Sequence, residues 1–234
     1  MHKKRGYKRE VSLQRDYKLF AIVCEGSKRE PDYFKLFRFA SKRIAVDIIE
    51  EKVSDEQVSA DIRNKSAPKW LLDRAVKYIE KEGLNDEDDL WFVMDVDRWK
   101  TEQIREIAEY CEKYPNWHIV LSNPCFEVWL YLHKKKNINL SGSNTCSEFK
   151  GELASFDKIG YNPYSYIPDI INAIKNSKSI NKDDYFLPKK NKTNVHKLAE
   201  SLLKVIGRKN FDNFISIVLP EKYNEFKKDH SKKV

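Results

Sequence analysis

Four acids follow three apolar runs in this chain. Glu25 comes directly after FAIVC at 20–24, Asp95 and Asp97 close DLWFVMDVD at 89–97, and Glu127 lies one turn beyond WHIVLS at 117–122. Carboxylates brought together repel one another and raise each other's pKa unless a cation compensates them. Hard oxygen ligands of this kind suit Mg²⁺ or Mn²⁺. One or two such ions can activate water and stabilise the charge of an in-line phosphodiester displacement. The two-residue spacing of Asp95 and Asp97 puts both side chains on one side of an extended backbone. Each signal is weak alone, because an acid after a strand also serves as a turn or helix cap, and Asp97 ahead of a helix reads that way too. Their combination is what points to a metal site.

The acids can meet only if the runs are strands of one sheet. FAIVC is followed by a turn and by Pro31, whose fixed φ suits a first helical position, with Phe34, Phe37 and Ala40 along one stripe. IAVDIIEEKV at 44–53 reads as a second strand and 54–67 as a polar loop. Pro68 opens a helix with Leu71, Leu72, Ala75, Val76 and Ile79 on one face and Gly83 just past its end. The third strand, 89–97, has the continuous apolar core of a strand covered on both faces. A helix from Thr101 carries Ile104, Ile107, Ala108 and Cys111, and the fourth strand is 117–122. Asn123 then reads as an N-cap before a helix at 124–133, in which His133 is expected as a satisfied, semi-buried imidazole. Four β/α alternations predict an α/β fold with a parallel sheet flanked by helices over 20–136. Ligands of such sheets bind at the carboxyl edge, where these acids would lie.

Past residue 136 the pattern is helical, at 145–156, 168–176, 194–206 and 211–218, with no convincing strand. This predicts a smaller helical extension over 137–220 and a loose charged tail at 221–234. Trp70 and Trp99 read as packing residues.

A net charge of +8 and a pI near 9.1 make a polyanionic partner plausible. The arm at 1–19 carries seven Lys or Arg against two acids, which suits either phosphate contact or simple solvation. Lys28 and Arg29 beside Glu25 read as phosphate contacts or as exposed turn residues. Lys189, Lys190, Lys192 and His196 form either a phosphate-binding lip or a solvated helix start, with Thr193 as an N-cap. The four cysteines show no CxxC pair and read as reduced thiols. There is no run of membrane-spanning length, so a cytoplasmic protein is expected.

IVCEGSKREPDYF at 22–34, WFVMDVDRW at 91–99, SNPCFEVWLYLH at 122–133 and NKTNVHKL at 191–198 resemble the RloB (AbiLii-like) family. Glu25-Gly26 with Asp95-Val96-Asp97 further resembles the Toprim domain of topoisomerases, primases and overcoming-lysogenization-defect nucleases. The resemblance implies a Toprim-like nuclease of bacterial phage defence, often encoded beside an ATPase partner. It implies Glu25, Asp95 and Asp97 as the acidic metal site and places Glu30, Asn123 and Glu127 at further motif positions. Where the family commonly has Thr ahead of the acid at 30, this chain has Arg29. A non-catalytic subunit that binds an ATPase or nucleic acid is the rival reading. Nucleotidyl transfer ranks below both, for want of a zinc module and a nucleotide-cradling glycine loop. DNA and RNA, tRNA included, stay open as substrates, and so does the number of subunits.

Overall fold

Residues 16–50, 67–140, 142–157, 160–182 and 186–231 are described in a computed structural model. The alternation becomes a sheet of β1 (Lys18–Cys24), β2 (Ile44–Ile48), β3 (Asp89–Asp95) and β4 (Trp117–Asn123). These pair in parallel in the order β2-β1-β3-β4, and a short β5 (Lys192–Thr193) joins antiparallel to β4. The inner strands β1 and β3 are buried along nearly their whole length. Both faces are covered, which is why they read as unbroken apolar runs rather than alternating ones.

Side chains alternate between two cores. Ala21, Val23, Leu90, Phe92 and Met94 pack with Leu71 and Ala75 of α2 (Pro68–Glu82) and with Ile104 and Ile107 of α3 (Thr101–Cys111). Phe20, Ile22, Trp91 and Val93 face the other layer. That layer is built from α1 (Arg29–Lys35), α4 (Glu127–Lys134), α6 (Ile170–Ile180) and α7 (His196–Ile206). The C-terminal helices therefore complete one face of the sheet, and Phe211 and Phe214 belong to the same core.

Local chemistry sets several boundaries. Pro68 stands in the first turn of α2, and Gly83 ends the helix at φ 73°, a conformation that favours glycine. In α5 (Cys146–Phe156), Thr145 and Glu148 cap one another's backbone amides. Several expectations are corrected. The third strand stops at Asp95, because the chain bends before Asp97. Asn123 is the last residue of β4, not an N-cap: it pairs with Lys192, its side-chain amide donates to Pro188 O at 2.9 Å, and α4 begins at Glu127. A strand does exist in the C-terminal region, but β5 has only two residues and so no readable period. The described part of the tail expected to be loose, 221–231, is helical in α9 (Leu219–Ser231), which follows α8 (Arg208–Asn213) through a π-helical turn at Phe214–Val218. The second strand ends at Ile48, while residues 51–53 of its expected span lie outside the described residues, and Trp70 is exposed rather than packed. Residues 1–15 of the basic arm and most of the 54–67 loop lie outside the described residues.

His133 fulfils its structural expectation and ties together the two helices that flank the carboxyl edge. Its Nδ1 lies 2.9 Å from Trp129 O, so that nitrogen carries the hydrogen, and its Nε2 accepts from Tyr33 Oη at 2.8 Å. Burial lowers its pKa to about 3, leaving a neutral ring. Tyr33→Phe removes the donor and strands a buried acceptor. It should cost about 1–3 kcal/mol, measured as a lower midpoint in urea.

A candidate active site at the carboxyl edge

The register brings the strand ends together. Cys24 pairs with Val93 and Asp95 with Ser122. The ladder continues one residue further, with Glu25 N donating to Val93 O at 3.0 Å. Asp95 N donates to Glu25 Oε2 at 2.9 Å, so the first acid is held directly beside the second. Arg74 of α2 fixes the end of β1 by donating to Cys24 O at 3.1 Å. Within α1, Glu30 is buried, and Glu127 is buried in the first turn of α4. Glu25, Glu30, Asp95 and Glu127 line one pocket of about 200 Å³, together with the cations Lys28, Arg29, Arg98 and Lys150.

The acids disturb one another. Burial pushes the Asp95 carboxyl well up, and the charges of Glu30, Glu25 and Glu127 push it further. Burial also raises Glu25, against the lowering effect of the Asp95 amide. Glu30 rises to about 7, mainly through burial and then through Glu127 and Glu25. Glu127 is paired with Arg29, and Lys150 Nζ lies 3.8 Å from the same oxygen. The opposite edge of the sheet shows what structural acids look like here. Asp88 accepts from Leu19 N at 3.2 Å and Asn85 N at 2.9 Å, and Asp89 pairs with Lys18 at 2.8 Å. Acids at the amino edge are matched to donors, whereas three at the carboxyl edge hold charge at a cost.

Gly26 belongs to this arrangement through close approach. A Cβ at position 26 would meet the Glu30 carboxylate, with Oε2 at 2.1 Å. The obstacle is the far end of a flexible side chain, so Gly26→Ala should displace Glu30 rather than unfold the protein. The expected result is about a tenfold loss of any activity that uses Glu30 as a proton carrier. The thermal midpoint should be nearly unchanged, and comparing initial rates with a melting curve separates the two effects.

Of the residues singled out in the sequence, Glu25, Gly26, Lys28, Arg29, Glu30, Asp95 and Glu127 come together in the pocket. Asp97 does not line it: this residue is exposed and accepts from Cys146 Sγ at 3.2 Å. Lys189 and Lys190 are exposed just ahead of β5, and Lys192 pairs with Asn123 at the end of β4. His196 is not part of a surface lip, because it is buried and its Nδ1 lies 2.8 Å from Ser177 Oγ. Thr193 is no N-cap either. It sits in β5 with its hydroxyl 2.8 Å from Ser122 Oγ. Sequence reasoning misses Arg98 and Lys150. Arg98 adjoins the DVD motif and could be found there, but Lys150 comes from α5, which carries no local signal of the site.

A bound divalent cation fits this donor set in kind, since buried oxygen acids that repel one another are stabilised by a positive ion. The spacing is open, however. Among the described residues, no group of three or more His, Cys, Asp or Glu side chains is arranged to hold a metal ion.

A family model described as RloB-like protein matches residues 20–202. The chain belongs to this RloB-like family. All four resembling segments fall inside the match, and so does every residue of the pocket. No curated protein and no solved structure matches the chain. Among the described residues, no helix is long and apolar enough to cross a membrane.

Proposed function

We propose that this RloB-like protein is a divalent-cation-dependent nuclease, Toprim-like in the use of its sheet edge, that hydrolyses phosphodiester bonds of DNA or RNA in bacterial defence against phage. One observation carries the reading: Glu25, Glu30, Asp95 and Glu127 converge from separate elements in one small pocket edged by Lys28, Arg29, Arg98 and Lys150. Acids at the centre with cations at the rim suit a phosphodiester approaching an acidic site. A bound Mg²⁺ or Mn²⁺ would offset the repulsion among the acids, ease deprotonation of water and neutralise charge on the phosphate.

The chain's own residues have separable roles in this reading. Glu25 and Asp95, locked side by side by the Asp95 amide, hold the cation. Glu30, with a pKa of about 7, exists in both protonation states near neutral pH and is suited to receive or return a proton. Lys28, Arg98 and Lys150 draw in the phosphate, while Arg29 fixes Glu127. An ATPase encoded nearby would be the partner that releases the activity.

The test is incubation with supercoiled DNA, single-stranded DNA and tRNA, with Mg²⁺ or Mn²⁺, with and without that ATPase. Cutting that needs the cation supports the proposal. The open spacing of the acids favours a second reading, a non-catalytic subunit that binds nucleic acid or an ATPase. Binding without cutting under every condition would establish that reading instead.

A further inference from the structure

A second cavity, of about 990 Å³, lies beside the first, and Lys28 lines both. Its walls come from α1 with the 3₁₀ turn after it, from the segment around Tyr164, and from α9. Phe39, Tyr161, Tyr164, Tyr223 and Phe226 bring aromatic rings to it. Phe39 and Phe226 are 40% and 44% exposed, which is unusual for phenylalanine. Tyr164 packs against two rings of α9, with centroids 5.1 Å from Tyr223 and 5.8 Å from Phe226. Cations are interleaved with these rings: Lys227 Nζ sits 4.0 Å from the Tyr223 centroid and Lys222 Nζ 5.1 Å from that of Phe39. Of the described charged residues lining the cavity, Lys28, Lys35, Arg38 and Lys227 are positive and Asp32 alone is negative.

We propose that this groove binds single-stranded nucleic acid, stacking unpaired bases on Phe39 and Phe226 and leading the backbone past Lys28 into the carboxylate pocket. Rings alternating with cations match a strand that offers a flat base and a phosphate at every step. A duplex cannot present base faces to such rings, because its bases are stacked on one another. An apolar protein segment would match the rings but not the cations between them, so charge favours the polyanion. As the seat of a substrate the groove rests on the nuclease reading, and it specifies that reading: the bond cut lies in or next to an unpaired stretch.

Binding can be tested without cleavage, by fluorescence anisotropy with a short fluorescein-labelled deoxythymidine strand, about 12 nucleotides long to fit a typical single-strand site, in EDTA. Phe39→Ala and Phe226→Ala should each weaken binding about tenfold, within the range for loss of one base stack. Phe39→Tyr should restore it, and Trp70→Ala, an exposed aromatic on the opposite layer, should leave it unchanged. Equal affinity for a duplex of the same length, or indifference to both Phe changes, would overturn the proposal. So would a dimer that Phe226→Ala splits into monomers, since the groove would then belong to a second copy. Stacking-dependent binding with no cutting under any cation would leave the groove standing and remove the nuclease. Cutting with binding insensitive to the rings would do the reverse.

Discussion

Glu25→Gln and Asp95→Asn should each reduce cation-dependent cleavage by at least about a thousandfold while leaving the protein folded. The size follows from what each change removes. Both keep the shape of the side chain and delete the charge that would hold a cation, so the loss includes both the ion and the proton chemistry it supports, each worth orders of magnitude. Folding should not suffer. Burial raises both carboxyl groups, and Asp95 is further raised by three neighbouring acids. A neutral amide therefore relieves repulsion, and the melting temperature of Asp95→Asn should equal or exceed that of the parent at mildly alkaline pH. Asp97→Asn is the informative comparison. Asp97 is exposed, outside the pocket and bonded to Cys146, so its change should cost less than about tenfold. A loss as deep as that of Asp95→Asn would make Asp97 a ligand, as the DxD spacing suggests. Full activity in both Glu25→Gln and Asp95→Asn would remove the proposed mechanism.

How much of this is legible in the sequence depends on whether a feature is local in the chain. β1 and β3 announce themselves because strands covered on both faces must be apolar throughout. Their parallel pairing alone places Glu25 and Asp95 on one edge. Asp97 falls outside for a related reason: the DxD argument requires the backbone to stay extended, and the strand ends at Asp95. His196 carries the opposite lesson. A histidine among lysines looks like a surface ligand, but α7 turns it inward to Ser177, a partner 19 residues away. Arg29, which departs from the family's usual Thr, acquires a physical account from its pairing with Glu127, 98 residues on. The aromatic groove is invisible in the sequence because Phe39, Tyr164 and Phe226 come from three separated segments and lack any common spacing. Site chemistry that follows the strands can be read in sequence; chemistry assembled by helices from the far end of the chain cannot.

Glu30→Gln should stabilise the protein increasingly as pH rises, and a bound cation should cancel that advantage. The sign follows from linkage. A glutamate carboxyl ordinarily titrates at 4.5, and Glu30 rises to about 7 in the fold, so between these values the folded protein holds the proton more tightly. Its contribution is fully present below pH 4.5 and is lost as pH climbs through about 7. Gln cannot ionise and avoids that loss. The difference in stability between variant and parent should be near zero at pH 4.5 and reach about 3 kcal/mol above pH 7, using roughly 1.4 kcal/mol per pKa unit. That corresponds to roughly 6–12 °C in melting temperature for a chain of this size. His133, held neutral by burial, destabilises the fold as pH falls below 6.5, but it does so equally in both proteins and drops out of the difference. Adding Mn²⁺ at mildly alkaline pH should then raise the melting temperature of the parent, by more than that of Glu30→Gln, because the ion compensates the buried charge that the substitution removes. A melting temperature indifferent to Mn²⁺ there, alongside the expected pH-dependent gap, would show that the acids repel one another without gathering a cation. The pocket would then be a strained binding surface, and the non-catalytic reading would take the place of the nuclease.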